Sequence, residues 1–155
     1  MVRIIFVCTG NICRSPLAAG ILKARFLKDA VTDAVVTSMG VHGLERQPPS
    51  NFAMLVGREH GIDISEHRSR PLIPHEIETA DLIFTMDRMQ KDFIKLFFPQ
   101  VDDQPFLLAS WPNEERRKDM VKDPMGKSMK VYRQVYEEIA RHIDRIYPVI
   151  RESYC

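Results

Sequence analysis

Cysteine and arginine stand close together near the start of this chain, in "VCTGNICRSP", Val7 to Pro16. Cys8 and Arg14 enclose Thr9, Gly10, Asn11, Ile12 and Cys13, a segment that must turn an apolar strand back into a helix. Successive backbone N–H groups in such a turn converge on one point and form an anion nest, to which the N-terminus of the following helix adds positive partial charge. Gly10 would keep a crowding side chain out of the loop. Arg14 supplies a planar, permanently charged fork suited to two oxygens of a phosphoryl group. The same donors favour the thiolate of Cys8, which then faces the phosphorus of a phosphate monoester held in the nest, with the leaving oxygen directed outward for in-line displacement. This chemistry calls for no metal and no cofactor.

A phenolate leaving group needs a proton, and one carboxylic acid at the rim of the nest would supply it and later activate water. Asp123 stands out among the carboxylates because Pro124 follows it. The residue before proline is pushed away from helical geometry, which leaves Asp123 on a loop ahead of the C-terminal helix and free to reach a neighbouring site. Cys13 shares the loop with Cys8, close enough to capture an oxidised Cys8 as a disulfide and serve as its redox partner.

The surrounding elements must hold these groups in place. "VRIIFV" reads as a strand buried on both faces, and Ser15 with Pro16 as an N-cap and first-turn proline for the helix "LAAGILKARFLK". "AVVTSMG", "ADLIFTM" and "PFLLAS" read as further strands, "SNFAMLVGREHG" and "DRMQKDFIKLFF" as helices. "SMKVYRQVYEEIARHIDRIYPVI" is a long amphipathic helix with Val131, Val135, Ile139, Ile143 and Ile146 along one face. Strands alternating with helices predict an α/β fold with a parallel sheet, in which ligands sit beyond the carboxyl ends of the strands. The loop after Val7 lies at such an end.

The 155 residues suit a single domain spanning 1–155, and 22 basic against 21 acidic side chains leave a formal net charge of +1. That balance provides no basic field to gather nucleic acid. No apolar run approaches the roughly 18 residues of a membrane span, and "MVRIIFVC" carries no cleavage region, so the expectation is a cytoplasmic protein without membrane insertion. Three cysteines, an odd number, do not make a disulfide framework. "MGKS" near Asp123 is not the end of a nucleotide-binding loop, because Val121 stands where the first glycine belongs. His60 and His67, with Glu59, Asp63 and Glu66 nearby, match no metal-ligand spacing and read as a polar loop.

"VCTGNICRSPLAAG" resembles the signature loop of the low-molecular-weight protein tyrosine phosphatases, and "TSMG", "GIDISEHRSRPL", "ADLIFTMDRMQ" and "DPMGKS" follow in that family's order. The resemblance implies a four-stranded parallel sheet with flanking helices and the phosphatase loop after the first strand. Cys8 would be the phosphocysteine-forming nucleophile, Arg14 the phosphate clamp and Asp123 of the Asp-Pro pair the general acid. Thr9, Gly10, Asn11, Ile12, Cys13 and Ser15 complete the phosphate-binding loop, with Ser15 donating to the Cys8 sulfur and Ser38 and His67 supporting the loop. The implied substrate is protein phosphotyrosine or another aryl phosphate monoester, with inorganic phosphate as product. Alternatives are a protein arginine phosphatase, an arsenate reductase on the same fold, and an anion-binding module without turnover. Ile12 stands where the arginine phosphatases carry threonine, and between Cys13 and Cys155 there is no cysteine to relay a reductase disulfide. Tyrosines often follow the family's Asp-Pro pair, whereas Met125 and Gly126 stand here; Leu44 or Met125 would then contribute to the cleft wall.

Overall fold

The computed structural model describes residues 1–43 and 45–155; Leu44, expected beside the cleft, lies outside the described residues. The first strand, β1 (Val2–Cys8), leads into α1 (Arg14–Lys28), β2 (Ala34–Gly40) and α2 (Asn51–Glu59). A short α3 (Pro74–Thr79) precedes β3 (Leu82–Thr85) and α4 (Arg88–Phe97), and β4 (Pro105–Leu107) precedes the long α5 (Met129–Ser153). The strands form one parallel sheet in the order β2-β1-β3-β4.

Alternation along β1 divides the core between the two faces of the sheet. Val2, Ile4, Phe6 and Cys8 join the side packed by α1, α2 and α5, with Leu17, Leu22, Val56, Ile139, Ile143 and Ile146. Ile5 and Val7 point to the other side, against Ile77 of α3 and Ile94 of α4. Burial of β1 on both faces explains its near-continuous apolar run.

Strand order sets the position of the site. The connection from β1 crosses one face as α1 and that from β3 crosses the other as α4, so a crevice opens between the carboxyl ends of these adjacent strands. Register places Cys8 opposite Gly40 and Val7 opposite Thr85, bringing segments 8–14, 40–43 and 86–90 to one edge.

Several boundaries differ from the sequence reading. The helix after the loop begins at Arg14 with Cys13 at its N-cap, so Ser15 lies inside its first turn and does not cap it. The fourth strand ends at Leu107, after which Leu108 N donates to Thr85 O at 3.0 Å and the chain leaves the sheet. The short α3 was not expected; at six residues it offers too few turns for a helical period to register. On α5, Val131 is half-buried, and the buried stripe is completed by Tyr132, Tyr136 and Ile150.

Candidate active site

Asn11 is the keystone of the loop between β1 and α1. Its φ of +57° lies in the left-handed region, which asparagine enters more readily than most residues. Gly10 does not play that part: a Cβ there would meet only Ile12 Cγ1, at an ordinary 3.6 Å, so no protein neighbour requires glycine. The close approach occurs at Gly40, where a Cβ would fall 2.6 Å from Thr9 O. Val41 N and His42 N donate to Cys8 O and Thr9 O at 3.0 and 2.9 Å, fastening the start of the loop to the end of β2.

Every polar group of the Asn11 side chain is engaged. Nδ2 donates to Ser15 Oγ at 2.8 Å and to Ser38 Oγ at 2.9 Å, while Oδ1 accepts from Arg70 N at 3.0 Å. Its backbone oxygen accepts from His67 Nε2 at 2.7 Å, which fixes the imidazole tautomer with the proton on Nε2. Asn11 is wholly buried, so these bonds satisfy groups that have no water.

Ser15 passes this order on to Cys8. Its Oγ lies 2.9 Å from Cys8 Sγ. Since that oxygen accepts from Asn11, its own hydrogen is free to point at the sulfur; the competing acceptor, Met39 O, is farther away at 3.5 Å. Ser15 thus does not cap the helix but meets the Cys8 sulfur, the contact the family resemblance implied.

Arg14 is 3% exposed and reaches across the crevice. Nη1 donates to Val121 O at 2.9 Å and stands 3.9 Å from Asp87 Oδ2, while Nη2 stands 3.8 Å from Asp123 Oδ2. Asp123 is about half exposed, and its Oδ1 accepts from Met125 N at 3.0 Å in a turn that leaves Oδ2 facing the guanidinium. The segment carrying Asp123 is fastened to the end of β3, where Val121 N donates to Met86 O at 2.8 Å, and farther back Arg145 of α5 donates to the carbonyls of Trp111 and Leu108.

Cys13 is buried beneath the loop, and that burial, reinforced by Cys8, pushes its thiol well above the ordinary range. His67 is half-buried on the wall of a separate polar cleft of about 370 Å³ that also holds Lys23 and Arg68. Desolvation and the cations Lys23, Arg70 and Arg68 lower its pKa against the opposing pull of the Asn11 carbonyl. The two histidines of the polar loop serve different ends, since His60 stacks on Tyr136 at 4.1 Å. "MGKS" proves to be a turn and cap: Ser128 starts α5 by accepting from Val131 N.

The structure thus brings Cys8, Thr9, Gly10, Asn11, Ile12, Cys13, Arg14, Ser15, Ser38, His67 and Asp123 into one neighbourhood. Sequence reasoning missed Asp87, Gln90, Arg70 and Glu76. Arg70 Nε donates to Ser38 O at 3.1 Å, and its two terminal nitrogens pair with the Glu76 carboxylate at 2.8 Å each. This fork steadies the strand end that bears Ser38. The available signal for the other two was the Asp-x-x-Gln spacing at 87–90, a capping box.

A buried cysteine at a strand end and a buried arginine six residues on, at the start of the following helix, are the arrangement of a cysteine-dependent phosphoric monoester hydrolase. The sequence pattern of the low molecular weight phosphotyrosine protein phosphatases matches residues 3–153, and the chain belongs to that family. A protein-arginine-phosphatase of Geobacillus stearothermophilus is 36% identical over 144 residues, covering 93% of each chain. The low molecular weight protein-tyrosine-phosphatase Etp of Escherichia coli is 31% identical over 138 residues, covering 89% of this chain and 87% of Etp. Among solved structures, a low molecular weight protein tyrosine phosphatase from T. tengcongensis superposes with a TM-score of 0.88 at 35% identity, over 96% of this chain and 99% of that one. The protein is a phosphatase that works through a phosphocysteine intermediate. Among the described residues no helix is long and apolar enough to cross a membrane.

Proposed function

We propose that residues 1–155 form one catalytic domain that removes phosphate from phosphotyrosine in proteins, with Cys8 as nucleophile, Arg14 as clamp and Asp123 as acid and base. The Cys8 thiolate attacks phosphorus while the bond to the tyrosine oxygen breaks, and the Asp123 carboxyl gives that oxygen its proton. The Asp123 carboxylate then takes a proton from water, whose oxygen attacks phosphorus; the P–S bond breaks, inorganic phosphate leaves and the thiolate returns. One observation carries this reading: Arg14 faces Asp123 at 3.8 Å from within the loop in which Ser15 holds the Cys8 sulfur.

Ile12 supports the aryl substrate, because an apolar side chain on the loop favours a phenyl ring over a guanidinium. The 36% identical arginine phosphatase keeps phosphoarginine as the second reading. A working thiol at Cys8 suits a reducing compartment, and we assign the protein to the cytoplasm. Under peroxide, the Cys8 thiolate would become a sulfenic acid, and Cys13 would displace its oxygen as water to form a disulfide that thiols can reopen.

The deciding experiment is the initial rate of phosphate release at mildly acidic pH, with chelator present, from phosphotyrosine and phosphoarginine peptides. Turnover of phosphotyrosine that survives chelator and vanishes in Cys8→Ser is the expected result. Preference for phosphoarginine would transfer the assignment to the second reading, and activity retained by Cys8→Ser would remove Cys8 as nucleophile.

A further inference from the structure

Gln90 makes more hydrogen bonds than its place in the helix requires. It is the third residue of α4 and wholly buried. Its Oε1 accepts from Asp87 N at 3.2 Å and its backbone N donates to Asp87 Oδ1 at 2.9 Å, which completes a capping box. Glutamate would serve a capping box equally well. Here Oε1 also accepts from Met86 N at 2.8 Å, and the amide Nε2 donates to Thr9 Oγ1 at 3.1 Å. Thr9 directly follows the nucleophile, so the amide joins the first turn of α4 to the phosphate loop across the crevice between β1 and β3.

The same turn meets Arg14. With Asp87 Oδ1 occupied by the cap, Oδ2 is left facing Arg14 Nη1 at 3.9 Å. That nitrogen donates to Val121 O, and Val121 N is bonded to Met86 O. One turn therefore reaches the guanidinium twice, directly from Asp87 and from Met86 by way of Val121, and Gln90 ties that turn to the loop through Thr9.

We propose that Gln90 is a positioning residue of the phosphate clamp: its bond to Thr9 braces α4 against the loop and holds the Asp87 carboxylate where it aims the Arg14 fork at bound phosphate. The proposal rests on the assignment of Arg14 as clamp. Arginine carries many rotamers, and a fork held in one of them before the ligand arrives binds without first being ordered. The brace acts on phosphate affinity, in substrate and product alike, and leaves the chemistry of sulfur and acid untouched.

Calorimetric titration with inorganic phosphate tests this apart from turnover. Thr9→Val removes the hydroxyl at nearly constant shape and leaves the capping box whole, while Thr9→Ser retains the hydroxyl. The expected result is a dissociation constant for phosphate raised about fivefold or more in Thr9→Val, with Thr9→Ser within about twofold of the parent, and a matching rise in KM exceeding any fall in kcat. A lowered melting temperature with phosphate affinity within about twofold of the parent would reduce the bond to packing and overturn the proposal. Asp87→Asn keeps the cap and removes the charge. If Gln90 acts through Asp87, adding Thr9→Val to Asp87→Asn weakens phosphate binding by less than about twofold more. Full additivity would overturn the proposed route, and would also be the outcome if the Thr9 hydroxyl touched phosphate directly. Absence of turnover in the parent, with phosphate binding intact, would instead count against the phosphatase chemistry and leave the brace to be judged on the same titrations.

Discussion

Arg14 Nη2 and Asp123 Oδ2 face each other at 3.8 Å, one from a side chain buried in the loop and the other from a half-exposed side chain on its rim. The proposed phosphate clamp and the proposed acid are thereby held side by side. In the proposed in-line displacement Cys8 attacks phosphorus while Asp123 acts on the leaving oxygen, at opposite ends of the breaking bond.

Asp123→Asn keeps the shape of that side chain and removes its proton. For phenolic substrates kcat should fall about 10²- to 10³-fold, the usual contribution of a positioned acid. Leaving groups that depart readily as anions should lose far less. Rates measured across substituted phenyl phosphates would give a steep dependence on leaving-group basicity in the variant; an unchanged slope would exclude Asp123 as acid.

Ser15→Ala removes the hydroxyl that points at Cys8 and leaves one Asn11 Nδ2 hydrogen without its acceptor. Hydrogen bonds to charged groups contribute about 1.5–3 kcal/mol, so kcat/KM should fall about tenfold or more. The rate of alkylation by iodoacetate at fixed pH reads the same loss at the sulfur, and the buried, protonated Cys13 leaves the signal to Cys8. Unchanged rates in the variant would show that the serine merely fills space.

What was legible in the sequence was local. β1, the loop and α1 are contiguous, and α5 repeats its apolar residues often enough to declare its period. Asp123 was singled out by Pro124 together with the family's Asp-Pro motif, and its carboxylate lies 3.8 Å from Arg14. Arg70, by contrast, serves Asn11 from 59 positions away, and Gln90 serves Thr9 from 81. Their sequence neighbours are those of an ordinary loop and an ordinary helix start, and only the strand order brings them to the crevice. The cap reading of Ser15 failed for a related reason: serine before proline is a good cap by local rules, whereas its contact with the Cys8 sulfur was implied only by the family resemblance. Gly10 was expected to spare the loop a crowding side chain, yet a Cβ there would meet only Ile12 Cγ1 at an ordinary 3.6 Å.

His67 makes stability depend on pH. Its pKa is lowered first by burial and further by Lys23, Arg70 and Arg68, so the unfolded chain takes up a proton more readily than the folded one. The contribution is therefore present in full above the ordinary imidazole value of 6.5 and is lost as pH falls through the lowered folded value. Melting curves recorded from neutral to mildly acidic pH should show the wild type losing part of its advantage over His67→Gln across that window. A constant difference between the two proteins would mean that His67 carries the same charge folded and unfolded.

Met125 follows the Asp-Pro pair of the proposed acid, where the family resemblance leads tyrosine to be expected, and it is tethered there. Its N–H bonds Asp123 Oδ1, its Sδ accepts from Tyr132 OH at 3.3 Å, and Tyr132 in turn meets Ser50 Oγ and the edge of Phe52. With Met125 44% exposed, the ring of an aryl phosphate beside Asp123 would meet a thioether on this side. Met125→Tyr replaces that contact with a ring pair, worth about 0.5–1.5 kcal/mol, and should lower KM for phenyl phosphates by about 2- to 10-fold while kcat stays near its original value. Alkyl phosphates supply no ring and should show no gain. An equal gain for aryl and alkyl substrates would place the effect on phosphate binding, and no gain for either would put the substrate ring elsewhere in the cleft.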